Sequence, residues 1–125
     1  MNSEQKIKML EEEVKGLKET LNHMQFRQRL LFDQTPVNRL LFEYEITQTQ
    51  YNKIMDLMDF YRSKIGRNEK VHHSSFEQSI YQIVPKLNGN YHFVEFLTNA
   101  FKEESRWEEV FDKLYGDMPK YRNNF

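Results

Sequence analysis

Residues 7–31 read IKMLEEEVKGLKETLNHMQFRQRLL, and the spacing of their apolar side chains decides what kind of molecule this is. With Ile7 at position a of a seven-residue repeat, the a and d positions are Ile7, Leu10, Val14, Leu17, Leu21, Met24, Gln28 and Leu31. All but Gln28 are apolar. Alternating steps of three and four residues place them on one stripe of an α-helix. A stripe this narrow is the seam of a coiled coil, whereas a helix covering a globular core shows a broader apolar face. Two partners can cover such a stripe: its counterpart on a sister chain, or the later helices of the same chain. The narrowness favours the sister chain.

The flanking charges agree with a parallel self-pair. Position g of one repeat then meets position e of the next on the partner, which sets Lys6 against Glu11 and Glu13 against Lys18. Exposed ion pairs contribute only about 0.2–1 kcal/mol each, so these select orientation more than they stabilise. Ile7 and Val14 at a, with Leu10 and Leu17 at d, favour two strands, whereas Leu21 and Gln28 at a leave a trimer open. Ser3 is the expected N-cap, with Glu4 in the first turn. From Phe26 the pattern thickens through Leu30, Leu31 and Phe32, where the helix should meet its own globular part.

The remainder reads as short helices with start and stop signals. Thr35-Pro36 opens a helix through about Tyr44. Thr47 with Gln50 forms a capping box for a helix whose apolar face runs from Tyr51 to Ile65, and Gly66 should end it. Residues 66–74 read as a loop, and Ser74 with Glu77, or Ser75 with Gln78, should cap the next helix. Pro85 ends or kinks that helix. Asn88-Gly89-Asn90 is a turn, with Asn90 capping a helix over Phe93, Val94, Phe96, Leu97 and Phe101. Ser105 with Glu108 should cap a last helix, Trp107 to Tyr115, stopped by Gly116. The expected fold is all-α: an N-terminal heptad (coiled-coil) helix followed by a compact bundle of four to five short helices. Its parts are an oligomerisation helix, 1–33, a helical globular domain, 34–116, and a flexible tail, 117–125. A globular part of about 80 residues supplies only a few kcal/mol of net stability, which oligomerisation would offset.

Composition fits this reading. Of 125 residues, 38% are hydrophobic and 30% charged, yet ten Phe and seven Tyr argue for a folded, aromatic-rich core. The formal net charge is −1 and no third of the chain is strongly basic, so the electrostatic footprint of a nucleic-acid binder is missing. There is no Cys, which excludes disulfides, zinc–thiolate sites and thiol catalysis and fits a reducing compartment. The charged start lacks the apolar stretch of a secretory leader, and no apolar run reaches the length of a membrane span. A cytoplasmic protein without a membrane partner is expected.

A heptad-like helix is followed in order by LLFEYEITQTQYNKIMDLMDFY, SFEQSIYQIVPKLN and HFVEFLTNAFKEESRWEEVFDKLY. This order resembles the YhaI-like proteins of Gram-positive bacteria, a family of unknown function, over roughly residues 7–115. The last stretch is the most specific. The resemblance implies a multihelical fold and intertwined homo-oligomers, trimers among them. It supplies no activity and therefore no catalytic residue. The polar tail after Gly116 and Pro85 within a helix depart from the pattern.

Residues able to carry chemistry are few. His72-His73, with His92 and Glu69, has metal-binding side chains, but adjacent histidines lack the i, i+4 spacing that sets two ligands on one helix face. Glu11, Glu12, Glu13, Glu103, Glu104, Glu108 and Glu109 fall on charged helix faces or a helix start, whereas acid–base work needs two carboxylates in a pocket. No nucleophile elbow and no glycine-rich phosphate loop occurs, so no catalytic, cofactor or metal residue is assigned. Residues 36–62 could form a helix-turn-helix with Gln48, Gln50, Asn52 and Lys53 towards base edges, but only Lys53 is basic among residues 48–53. The tail from Met118 to Phe125 sets apolar side chains beside Lys120 and Arg122 and could dock on another protein. The function expected is a non-enzymatic homo-oligomeric interaction module, an adaptor or inhibitor. Its partners are itself, as a parallel homodimer or trimer, and another protein. The second reading is a small dimeric helix-turn-helix-like DNA-binding regulator.

Overall fold

The computed structural model describes residues 2–122 and is helical throughout, with no strand among the described residues. The helices are α1 (Ser3–Phe32), α2 (Pro36–Glu43), α3 (Gln48–Gly66), α4 (His73–Ile83), α5 (Tyr91–Glu103), α6 (Glu108–Tyr115) and α7 (Pro119–Arg122). A single 3-10 turn, Pro85–Leu87, follows α4, as the proline requires. Helices α2 to α6 form the bundle, within the number expected.

The α5 helix organises the body because it is apolar on most of its circumference. Phe93, Val94, Leu97, Ala100 and Phe101 are buried, against α2 on one side and α4 and α6 on the others. Val37 and Leu41 of α2, Ile54 and Met58 of α3, Phe76 and Ile80 of α4 and Val110 of α6 complete the core. Aromatic rings join the layers edge to face: Tyr61 with Phe76 at 4.9 Å and Phe101 with Trp107 at 5.0 Å between centroids. The Trp107 indole N–H donates to Asp59 at 2.8 Å, tying α6 to α3.

Several caps match the sequence. Thr35 accepts from the Asn38 amide, Thr47 and Gln50 form the reciprocal box, and Asn90 accepts from the Phe93 amide at 3.1 Å. Others differ. The N-cap of α1 is Asn2 rather than Ser3, because Gln5 lies three residues after Asn2 and completes a box with it at 2.8 and 3.1 Å. Neither Ser74 nor Ser75 caps α4; the helix starts at His73, and Glu77 is buried and paired with His73 instead. Ser105 does not cap α6 either: the N-cap of that helix is Trp107, which makes no side-chain cap bond.

The C-terminal ends of α2, α3 and α5 share one device. Glu45, Asn68 and Ser105 have φ of 54°, 59° and 60°, the left-handed region. At each, the next amide reaches back to close the preceding turn: Ile46 to the Leu41 carbonyl at 2.9 Å, Glu69 to Lys64 at 3.0 Å and Arg106 to Phe101 at 2.8 Å. This is the Schellman closure, most often built on glycine. Gly66 therefore does not terminate α3; it is still helical, and Asn68 makes the turn. The 117–125 segment expected to be flexible is packed as far as Tyr121. Met118 and Tyr121 lie half-buried on the core, with the Tyr121 ring 5.0 Å from Phe111. Residues 123–125, part of the expected docking tail, lie outside the described residues.

A serine held left-handed costs about 1 kcal/mol that a glycine avoids. Ser105→Gly is therefore expected to raise stability by about 0.5–1 kcal/mol, net of the greater freedom of the unfolded chain, without altering far-UV circular dichroism. Thermal melts at equal protein concentration check this; a lower melting temperature would show that Ser105 is not strained.

Candidate functional site

The α1 helix is continuous for 30 residues, about 45 Å at 1.5 Å per residue. It meets the body only near its C-terminal end, where Phe26 and Leu30 are its buried residues. The Phe26 ring lies 6.3 Å from Tyr51 on α3, and Arg27 stacks its guanidinium 4.0 Å over the Phe42 ring while donating to the Phe42 carbonyl at 3.2 Å. Arg29 donates to Gln48 Oε1 at 2.8 Å. These contacts fix the direction in which α1 leaves the body. The helix also runs straight through Gly16, which lies off the a/d seam.

Every a/d side chain assigned from the heptads stands in solvent. Ile7, Leu10, Val14, Leu17, Leu21, Met24 and Leu31 are all exposed, from 47% at Val14 to 70% at Leu17. The chain's own helices thus do not cover the stripe. The flanking Lys6, Glu11, Glu13 and Lys18 are exposed beside it. Phe32, next to Leu31 at the base of the helix, is 94% exposed. The stripe from Ile7 to Asn22 carries a shallow apolar groove between the Ile7–Leu10–Val14 side chains and Lys15, Lys18 and Glu19. Contiguous exposed apolar surface of this kind marks an interaction site.

The helix-turn-helix alternative fares differently. Gln48 is engaged by Arg29 and Gln50 by its box with Thr47, so both amides are used inside the molecule. Asn52 and Lys53 are exposed on α3. His72, Glu69 and His92 are exposed and separate, and no group of three His, Asp or Glu among the described residues could hold a metal ion. No helix among the described residues is long and apolar enough to cross a membrane.

A second cluster was missed in the sequence. Glu95 lies within the apolar run FVEFL and is 2% exposed, and Glu77 on α4 is also buried. Lys120 reaches Glu95 at 2.6 Å and the Tyr121 hydroxyl donates to it at 2.9 Å. Burial, together with that bond and the nearby Glu95 charge, pushes the Tyr121 hydroxyl up to about 12. Tyr115 is raised further, first by burial and then by the Glu77 and Glu95 charges. A lone carboxylate at an apolar position of a helix was the available signal.

Comparison with family models, curated proteins and solved structures gives no match.

Gly16 sits mid-helix, and a Cβ added there meets nothing within 4 Å. Gly16→Ala is expected to strengthen α1 by about 1 kcal/mol from helix propensity alone. Increased helical ellipticity and a higher melting temperature would register it. No change in either would mean that α1 is not helical at Gly16 in solution.

Proposed function

We propose that this protein is a non-enzymatic homo-oligomeric interaction module, joined through the stripe of α1. The single observation that carries the reading is that the whole a/d seam is exposed on a helix that leaves the body. A helix in a protein draws most of its stability from packing of its apolar face, and α1 before Phe26 has no such packing within the chain. A sister helix supplies it. Burying what remains exposed of each seam side chain contributes about 1 kcal/mol, the upper end of the range for an exposed ion pair, and the apolar seam positions outnumber the charge pairs, so the seam drives association and the charges set its direction. Lys6 facing Glu11 and Glu13 facing Lys18 make that direction parallel. The copy number is two or three: Ile7 and Val14 at a favour two, and Leu21 at a permits three.

In this assembly the bodies hang at one end of the shared coiled coil, and their outer faces are free to bind another protein as an adaptor or inhibitor. A place among the YhaI-like helical proteins and a cytoplasmic location belong to the same proposal. The order of a heptad helix followed by short capped helices supports the first, and the cysteine-free chain fits the second.

Leu17 is the most exposed seam residue and lies at the middle of the stripe. Light scattering on the intact chain at micromolar concentration is expected to give two or three times the chain mass. Leu17→Asp, which sets like charges together in the seam, is expected to give the monomer mass with the body still folded. A monomeric wild-type chain, or a variant of unchanged mass, would refute the reading.

A further inference from the structure

Between α4, α5 and the C-terminal turn lies a cavity of about 490 Å³, within the range of small-molecule sites. Its floor holds the buried carboxylates of Glu77 and Glu95 with the Tyr81 and Tyr115 rings, and exposed His73 and Tyr91 stand at its mouth. A buried carboxylate is retained only where a partner compensates its lost hydration. Glu95 has Lys120 and Tyr121. Glu77 has His73 Nδ1 at 3.2 Å, and that imidazole is half-exposed. Tyr115 is 2% exposed, and its hydroxyl, in the field of both carboxylates, has no hydrogen-bond partner among the described residues. Two acids, one ammonium and an unpartnered hydroxyl thus share one aromatic-walled space.

The chain itself demonstrates which chemistry enters. Lys120, half-exposed and carried on the four-residue α7, sends its ammonium to both oxygens of Glu95, at 2.6 and 2.9 Å, and stands 5.4 Å from the Tyr121 ring. A helix of one turn has little stability of its own, so this internal ammonium is a replaceable occupant. We infer that the cavity is a binding site for a small organic ammonium ion. The Glu77 and Glu95 carboxylates receive its charge, and the tyrosine rings hold its apolar part. Ammonium over tyrosine faces gains a cation–π attraction that a neutral amine mimic lacks. The site is separate from the seam of α1 and does not depend on the oligomeric reading.

The test uses the full chain with benzylammonium as probe and benzyl alcohol as its uncharged counterpart, followed by amide chemical shifts. Benzylammonium is expected to saturate at millimolar concentration or below, shifting residues of α4, α5 and 118–121. Benzyl alcohol is expected to bind at least about tenfold more weakly, as loss of a charged hydrogen bond implies. Lys120→Met, which vacates Glu95, is expected to tighten benzylammonium binding by about the same factor. Glu77→Gln is expected to weaken it. Equal affinity for the two probes, shifts confined to another region, or no saturation up to tens of millimolar overturns the site. The comparison of probes needs no variant, so a misfolded Glu77→Gln protein leaves the test intact. An unchanged affinity in folded Lys120→Met contradicts the role given to Glu95.

Discussion

Burial of the apolar stripe on α1 is the constraint on which the proposed molecule depends. The part of α1 before Phe26, with its seam in water, is held by backbone bonds and a capping box, and Gly16 weakens its middle. Backbone bonds in water contribute little net stability because the open chain bonds to solvent instead. The stripe therefore needs a cover, and the body of the same chain does not provide one. A sister helix in parallel is the cover for which the a/d residues and the g-to-e charges are suited.

The body is arranged so that this helix leaves it in a defined direction. Phe26 and Leu30 are sunk into the core, Arg27 clamps Phe42, and Arg29 holds Gln48 at the start of α3. The same helix thus has two faces of different purpose, an anchored base and a free seam, and the change of pattern at Phe26 marks the boundary. Within the body, α5 is the hub. Its burial over most of its circumference explains why its one buried charged residue, Glu95, is paired with Lys120 and Tyr121 from α7. That pairing folds back a segment whose composition alone suggested a free tail.

Much of the architecture was legible because it rests on local chemistry. Thr35-Pro36, Thr47 with Gln50, and Asn90 each announce a helix start through a side chain that satisfies a backbone amide a few residues away. The long first helix was legible because the 3–4 spacing of its apolar residues is a helical signal in itself. Helix ends were read less well. Glycine tolerates positive φ, which makes Gly66 the expected stop, whereas the turns fall on Asn68, Glu45 and Ser105. What selects these positions is tertiary. Ile46, one residue past Glu45, is fully buried, and Trp107, two past Ser105, is anchored to Asp59. The buried carboxylate cluster was illegible for the same reason: Glu77, Glu95 and Lys120 are 18 and 25 residues apart, and only packing brings them together.

The central claim is that the stripe from Ile7 to Met24 is protected by another copy of the chain and by nothing else. Amide hydrogen exchange at residues 7–24, measured on the intact protein over a series of dilutions, tests it most directly. The account predicts slow exchange at high concentration that accelerates as the chain is diluted, while the amides of α5 stay protected throughout. Fast exchange across residues 7–24 at every concentration at which α5 is protected would contradict it.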